Sequence, residues 1–237
     1  MTWSNAALEV PMMSTEPLRK IRVWDLPTRA FHWALAVLYV ALVATGWTGG
    51  EVMPWHARAG YAVATLLLFR LAWGFLGGHW SRFGTFVFGP ASVRDYLRGQ
   101  GAPLHSIGHN PLGALSVFAL LVFLLLQVAT GLFSQDKADF AGPLNVLVSS
   151  AAAKAATWYH QRVGQWIVLA MVLLHVLAIL DYLLRRKLNL IKPMIDGDKT
   201  VAIPAPASRD TAGTRVLALA ILATCGAAVA WLVSLGG

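Results

Sequence analysis

The sequence predicts an all-α fold, a transmembrane helical bundle with a four-helix core and a fifth, peripheral transmembrane helix. Apolar residues make up 57% of the 237 residues, charged residues make up only 13%, and the mean hydropathy is +0.60. Soluble domains carry about 25% charged residues, so this chain has too few to cover a water-exposed globule, and it is too apolar to be disordered. The apolar residues form five continuous stretches, each near the roughly 20 residues that a helix needs to cross a bilayer. Continuous rather than alternating stretches favour helices over barrel strands.

Each predicted element follows from the apolar runs and the residues that interrupt them. Asn110 and Pro111 are typical of a helix cap followed by a first-turn proline, which places the start of the third span. The long stretch 134–157 separates the third and fourth spans, and its part 144–156 is predicted to be a short interfacial helix. In chain order the sequence predicts a cytoplasmic arm at 1–21, a bundle domain at 22–199 with helices at 24–47, 55–77, 112–133 and 158–184, a linker at 200–213 and a fifth helix at 214–237.

The net charge of +8 is distributed as in a membrane protein. The basic residues flank the spans and form no single stripe, which argues against nucleic-acid binding. With Arg70 set aside as intramembrane, fourteen Lys and Arg residues lie on the side of the N-terminus. The opposite side has only four: Arg58, Lys137, Lys154 and Arg162. The positive-inside rule then predicts a multi-pass protein of the bacterial inner membrane with a cytoplasmic N-terminus and a periplasmic C-terminus.

The single cysteine, Cys225, limits the cofactor chemistry. One thiol cannot form an internal disulfide, a four-thiolate iron–sulfur site or a cysteine-rich structural zinc site. The chain contains no C-x-x-C-H motif, so any haem would be bound without the covalent attachment of c-type cytochromes.

Four histidines inside or at the edge of the spans are candidates for function, because ionisable residues are costly in a membrane. His56 and His160 each lie within two residues of the outer end of their predicted helix, so they share an outer level. His32 lies about 12 Å from the cytoplasmic end of the first helix, and His175 lies about 14 Å from that end of the fourth, at 1.5 Å per residue. These two share an inner level.

Two histidines facing each other at one depth are the ligands that a six-coordinate haem iron needs. We therefore predict two non-covalent haems b, each with bis-histidine ligation. The inner pair is His32 and His175, and the outer pair is His56 and His160. In a regular α-helix the two fourth-helix histidines would lie about 22 Å apart and within about 60° of one face, so one helix can serve both sites.

A short repeat surrounds the outer pair. The motif H-x-R-x-G occurs as HARAG at 56–60 and as HQRVG at 160–164. A glycine at i+4 lies beside the histidine, where it would let a flat macrocycle approach the backbone. An arginine at the membrane edge can pair with haem propionates. The predicted cofactor-binding residues besides the four histidines are Arg29, Arg58, Gly60, Arg70, Arg162 and Gly164.

Several of the histidines and arginines also have a simpler, structural interpretation. His79, His105 and His109 are interpreted as ordinary residues of the cytoplasmic connection, and the arginines of the repeat can be snorkelling anchors. Zinc is the rival metal, but its ligands would converge on one point, whereas these pairs lie at two depths. The rival function is a haem-free transporter or channel that uses the histidines and Arg70 as a proton relay, although we find no inverted repeat or broken helix of the transporter kind.

The chain resembles bacterial cytochrome b561 and the b-type cytochrome subunits of nickel–iron hydrogenases. The resemblance covers residues 21–199 and rests on the order and spacing of short motifs. They are VWDLPTR at 23–29 followed by His32 and Trp33, RLAWG at 70–74, GHNPLG at 108–113, GLF at 131–133, the fourth-helix histidines, and the segment 189–197.

This resemblance implies a four-helix core with two haems b, whose histidine ligands match the four positions above. It also implies electron transfer between the quinone pool and a partner at the membrane surface, such as a periplasmic c-type cytochrome or a hydrogenase. The fifth helix departs from the usual pattern of four helices. The sequence leaves open whether the chain is a plain electron carrier, a quinone oxidoreductase or the membrane subunit of an oxidoreductase complex. Its expected surroundings are membrane lipid and the quinone pool, and a homodimer is one option.

Overall fold

The computed structural model describes residues 18–135 and 140–236. Most of the predicted arm at 1–21, and Lys137 of the charge count, lie outside the described residues. Two short strands and eight α-helices are described, in the order β1 Arg19–Arg22, α1 Leu26–Thr48, α2 Met53–Leu76, α3 Pro90–Leu97, α4 Pro111–Phe133, α5 Ser150–Trp158, α6 Gln165–Leu184, α7 Ile191–Asp196, β2 Asp198–Val201 and α8 Ala212–Ser234. A π-helical segment, Tyr159–Gly164, joins α5 to α6.

Five long apolar helices could cross a membrane, which confirms the predicted fold class. The 23 residues of α1 rise about 34 Å, enough for a hydrocarbon core of about 30 Å. The predicted cap of the third span is also confirmed, since the Asn110 side chain accepts a hydrogen bond from the Gly113 amide at 2.8 Å. The start of α8 is closed by a capping box between Thr211 and Thr214.

The fourth span differs from its predicted start at residue 158. The helix runs without interruption through α5, the π-helical segment and α6, 35 residues from Ser150 to Leu184. A separate interfacial helix at 144–156 is therefore wrong. Ser149 caps the helix by accepting a hydrogen bond from the Ala152 amide, and the alanine-rich turn that follows has high helix propensity, so nothing breaks the chain before the span.

The second helix, α2, is the centre of the bundle, because it packs against α1, α4 and α8. The middle of the core is formed by Val63, Leu67, Leu121, Leu124 and Val168. The fifth spanning helix joins the bundle through Ala218, which packs into a second cluster with Phe31, Phe69 and Trp73. Large apolar side chains such as Val37, Leu174 and Leu219 are exposed on the outside, as expected for helices that face lipid.

The polar segments at the start of α1 form a cap, which we define as residues 18–25, 77–110 and 185–211. Strand β1 pairs with β2 in antiparallel register, Arg19 opposite Val201. The predicted linker at 200–213 is thus part of a packed structure: the Ser208 hydroxyl, which is buried, donates to the Val23 carbonyl at 2.7 Å. The sheet was missed because its strands have only four residues and carry mostly charged side chains.

The Asp25 carboxylate ties the cap to the bundle and is fully buried. One oxygen accepts the Thr28 amide at 2.8 Å and the Trp73 indole N–H at 3.1 Å. The other accepts the Gly78 amide at 2.9 Å and the Ser81 hydroxyl at 2.8 Å. Four donors match the capacity of a carboxylate, so its charge is buried with every acceptor site used.

Replacing Asp25 by alanine is expected to lower the free energy of unfolding by about 3–5 kcal/mol, because it leaves four buried donors without an acceptor. Thermal unfolding in detergent, followed by tryptophan fluorescence, measures the effect. The control is Asp95→Ala, since the Asp95 side chain is 42% exposed and its ion pair is with the exposed Arg94 at 3.4 Å. This variant is expected to change stability by about 0.5 kcal/mol or less. Equal melting temperatures for the two variants would contradict the role of Asp25.

The pKa of a second carboxylate, that of Asp210, predicts how the stability of the cap changes with pH. Burial alone would raise the pKa of Asp210, but hydrogen bonds from Arg215, from the Leu26 amide and from Arg22 hold that pKa below its ordinary value. The stabilisation is therefore complete above the ordinary aspartate pKa of about 4 and is lost as pH falls through the lower, folded pKa. We expect the melting temperature to fall below about pH 4, and to fall less steeply in Asp210→Asn. An equally steep fall in the variant would exclude this carboxylate as the cause.

Candidate functional site

The structure brings the four histidines together in the two predicted pairs. The imidazole rings of His32 on α1 and His175 on α6 have centroids 6.4 Å apart, with planes inclined by 54°. Those of His56 on α2 and His160 in the π-helical segment are 6.1 Å apart, with planes inclined by 86°. Among the described residues, no group of three or more His, Cys, Asp or Glu residues converges as a metal site.

The separation within each pair fits two imidazoles that would bind one iron between them. A metal–imidazole nitrogen bond is about 2 Å long, so two rings that bind one metal from opposite sides have centroids about 6 Å apart. Both observed separations are close to this value. Ordinary ring contacts also reach this separation, as between Phe31 and Phe69 at 6.4 Å, so the argument rests on its occurrence in two histidine pairs of one bundle.

Hydrogen bonds fix which nitrogen of each outer histidine is free. His56 Nδ1 donates to the Leu42 carbonyl at 3.1 Å, and His160 Nδ1 donates to the Gln127 carbonyl at 2.8 Å. Because a carbonyl only accepts, the hydrogen is on Nδ1 and the lone pair is on Nε2. Metal-ligating histidines usually have such a bond on the nitrogen that does not bind the metal.

The surroundings of the inner pair contain buried polar atoms that have no hydrogen-bond partner among residues 18–135 and 140–236. These are Nδ1 of His32, Nε of Arg29 and Nη1 of Arg70. Arg70 is 4% exposed, and its guanidinium lies over the Phe83 ring at 4.7 Å. A buried cation with an unused donor is costly unless an anionic or polar group satisfies it, and a haem propionate is such a group.

The other predicted arginines have different surroundings. Arg29 donates to the Ile195 carbonyl and lies 3.9 Å from Asp210, so part of its guanidinium is held by the cap. Arg58 and Arg162 are exposed, and Arg58 lies over the Trp55 ring at 4.9 Å. Their predicted pairing with propionates stays a prediction.

The two glycines of the H-x-R-x-G repeat are not equivalent in the structure. A Cβ on Gly60 would meet no atom within 4 Å, so this position is open, and its contact with a macrocycle stays a prediction. A Cβ on Gly164 would lie 2.0 Å from Gln127 Oε1 and 2.6 Å from the Tyr159 ring. Gly164 therefore makes room for two side chains of its own bundle.

The π-helical segment is the part of the site that the sequence did not predict. It contains His160 and Gly164, and π-helical turns within α-helices occur frequently at functional sites. It also means that the fourth span is not a regular α-helix between His160 and His175, so the angle of about 60° calculated for a regular helix does not apply.

Three further residues at the outer pair were also missed. Gly46 and Gly131 lie against the rings of His56 and His160, where an added Cβ would be 3.0 Å and 2.9 Å from the respective Cε1 atoms. The Gln127 side chain donates to the His160 carbonyl at 3.0 Å. A signal was present in the sequence, because both glycines end an Ala-Thr-Gly triplet, at 44–46 and 129–131, near the outer ends of α1 and α4.

The three remaining histidines lie in the cap. His79 packs edge-on against Trp80, and His105 packs against Phe88. The His109 ring lies between Trp24 at 4.8 Å and Phe86 at 4.4 Å, and its buried Nδ1 has no hydrogen-bond partner among the residues described. None of the three is paired ring to ring with another histidine in the described part of the chain.

Five helices long and apolar enough to cross a membrane, with two pairs of facing histidines, are typical of helical membrane proteins that bind a flat, metal-containing macrocycle between helices. The chain belongs to the prokaryotic cytochrome b561 family, whose model matches residues 23–197. Membership makes the chain a multi-pass membrane protein of electron transfer, with haem b as its cofactor. It favours electron transfer over the haem-free transporter.

The similar curated proteins share one description. A protein of Azotobacter vinelandii is 29% identical over 81% of this chain and 95% of its own length. One of Cupriavidus necator is 25% identical over 81% of this chain and 92% of its own. One of Escherichia coli K12 is 26% identical over 74% of this chain and 88% of its own. Each is described as a probable Ni/Fe-hydrogenase B-type cytochrome subunit. The comparison with solved structures gives no significant match.

The crowding at Gly164 predicts the cost of a methyl group there. Gly164→Ala is expected to lower the free energy of unfolding by about 1–3 kcal/mol, because the Cβ would overlap Gln127. In a Gln127→Ala background part of this cost should disappear, and a double-mutant cycle measured by thermal unfolding in detergent gives the coupling. Gly60→Ala, whose Cβ would meet open space, is the matched control for the stability of the haem-free protein. Additive costs at positions 127 and 164 would contradict the packing described here.

Proposed function

We propose that the chain is a di-haem cytochrome b that relays electrons across the bacterial inner membrane between the quinone pool and a periplasmic redox partner. The inner pair, His32 and His175, holds one haem b near the cap. The outer pair, His56 and His160, holds the second haem near the opposite end of the bundle. The N-terminus is cytoplasmic and the C-terminus periplasmic, so the cap faces the cytoplasm.

The observation that carries this proposal is the matched separation within the pairs, 6.4 Å and 6.1 Å between ring centroids, at two levels of one bundle. A single metal site would use one pair and leave the other two half-buried imidazoles without a role. Two stacked sites give a path for electrons along the bundle axis.

When bound, each haem supplies an iron that accepts and releases one electron without proton chemistry of its own. The protein supplies the ligands, the apolar surroundings and the charges. The Nδ1–H bonds to the Leu42 and Gln127 carbonyls orient the outer rings and make them stronger electron donors through Nε2. On the inner side the buried guanidinium of Arg70 would bind a propionate, and its positive charge would favour the reduced form of the cofactor.

The charges at the two ends of the bundle support the orientation. The cap contains the dense group of Lys and Arg residues, whereas the described residues of the other end include only Arg58, Lys154 and Arg162. Anionic lipid of the cytoplasmic leaflet also favours a basic cap.

The printed names of the relatives support the choice of partner. Proteins that align with most of this chain are described as probable cytochrome subunits of Ni/Fe-hydrogenases. We propose that this chain is likewise the membrane subunit of an oxidoreductase complex, with a hydrogenase or a c-type cytochrome beside the outer pair and quinone beside the inner pair. The fifth helix, which packs on α2, gives the bundle an additional surface for subunit contacts.

Single histidine variants test the assignment of the pairs. The purified protein is expected to contain two haems b per chain, measured by a pyridine haemochrome assay with oxidised and dithionite-reduced spectra. His175→Ala should remove the inner haem and His160→Ala the outer, so each variant should retain one haem. The control is His79→Ala, since His79 packs against Trp80 in the cap and should not affect the haem content.

The outcomes separate the alternatives. Absence of haem from a monodisperse preparation would contradict electron transfer and would favour the alternative hypothesis of a haem-free transporter. Two haems in the wild type that are both lost, or both kept, in a folded His175→Ala protein would contradict the pairing. Rapid reduction of the wild-type haems by a quinol analogue, observed by stopped flow, tests the exchange with quinone.

A further inference from the structure

The two halves of the outer pair are built by the same local arrangement. In α1, Thr45 and Gly46 face His56 of the following helix. In α4, the adjacent Gly131 faces His160 of the next spanning helix and is preceded by Thr130. The inner pair differs, because His32 Nδ1 is buried and has no hydrogen-bond partner in the described part of the chain.

The hydrogen-bond acceptors occupy equivalent positions. His56 Nδ1 donates to the carbonyl of Leu42, four residues before Gly46, at 3.1 Å. His160 Nδ1 donates to the carbonyl of Gln127, four residues before Gly131, at 2.8 Å. In a regular helix these carbonyls bond only within the helix, so a second donor from a neighbouring helix requires the acceptor to be accessible.

The threonine before each glycine donates a hydrogen bond to the helical turn that contains the histidine's acceptor carbonyl. Thr45 Oγ1 donates to the Ala41 carbonyl at 2.6 Å and approaches the Leu42 carbonyl at 3.4 Å. Thr130 Oγ1 donates to the Leu126 carbonyl at 2.8 Å and approaches the Gln127 carbonyl at 3.0 Å. Such bonds from a threonine back to the preceding turn bend helices and redirect the carbonyls of that turn.

The glycines provide the space for the rings. A Cβ on Gly46 would lie 3.0 Å from Cε1 and 3.2 Å from Nδ1 of His56. A Cβ on Gly131 would lie 2.9 Å and 3.2 Å from the same two atoms of His160. A methyl group at either position would push the ring away from the carbonyl to which it is bonded.

We propose that Gly46 and Gly131 are a matched pair of positioning residues that hold the outer imidazoles at their mutual angle of 86°. Each glycine lets its histidine reach the carbonyl one turn earlier, and the two hydrogen bonds together fix both ring planes. The inference rests on the proposed function, since the angle between the planes has a chemical effect only when the rings bind one iron.

Electron paramagnetic resonance of the oxidised protein reads this angle directly. In low-spin ferric haem, perpendicular imidazole planes leave two iron d orbitals nearly equal in energy and give a highly anisotropic signal, whereas parallel planes give a rhombic one. We expect the outer haem of the wild type to give the highly anisotropic signal. A rhombic signal from the outer haem, assigned by its loss in His160→Ala, would overturn the inference without any glycine variant.

Alanine variants then test each glycine. Gly46→Ala and Gly131→Ala should each replace the highly anisotropic signal with a rhombic one, or lower the haem content from two per chain to one, while the inner haem is unchanged. Gly226→Ala is the matched control, because a Cβ there would meet only Thr65 Cγ2 at an ordinary 3.7 Å within a spanning helix.

Retention of the inner haem shows that a glycine variant has folded. An unchanged outer signal in both variants would overturn the positioning role and leave the proposed function intact, whereas a wild type without haem would overturn the function itself. A glycine variant that loses both haems and its monodisperse profile has not folded. The proposal is then tested by the wild-type spectrum and by the other glycine variant, since it assigns the same effect to both positions.

Discussion

The buried carboxylate of Asp25 is the constraint on which the arrangement of the helices depends. Its four hydrogen bonds reach the first turn of α1, the last turn of α2 and the cap residues Gly78 and Ser81. Each of these donors would be costly if left unsatisfied in an apolar surrounding. The carboxylate therefore fixes where α1 begins relative to where α2 ends, and with them the depth of His32 and the position of Arg70.

The two histidine pairs are held by different kinds of interaction. Main-chain carbonyls and glycine contacts define the outer rings, so their orientation follows from the backbone of α1 and α4. The inner rings lie among buried, unpaired donors, including those of Arg29 and Arg70. The inner site thus has spare hydrogen-bonding capacity and net positive charge, which are suited to anionic groups, whereas the outer site has its hydrogen bonds already made within the protein.

Much of the site could be predicted from the sequence because membrane depth can be counted along a helix. Apolar runs locate the spans, a rise of 1.5 Å per residue places each histidine at a level, and the levels of His32 with His175 and of His56 with His160 match. Lateral position is harder to derive, since it depends on which helices pack together. The partners of Gly46, Gly131 and Gly164 are therefore visible only in three dimensions.

Other features depend on small free-energy differences that residue patterns do not determine. The strands β1 and β2 are stabilised by ion pairs, such as those of Arg22 with Asp198 and Asp210, that join residues far apart in the sequence. The early start of the fourth span results from capping at Ser149, a residue that is equally common in loops. No periodic signal in the sequence distinguishes the π-helical turn from the α-helix around it.

That π-helical turn also affects the direction in which the two histidines of the fourth span point. A wider turn usually contains one more residue than the α-helical turn it replaces, so it shifts the rotational phase of everything that follows by about 100° per residue. His160 and His175 are thereby aimed independently, each at a partner on a different helix. The width of this turn, together with the space that Gly164 leaves for Gln127 and Tyr159, sets the alignment of the two levels.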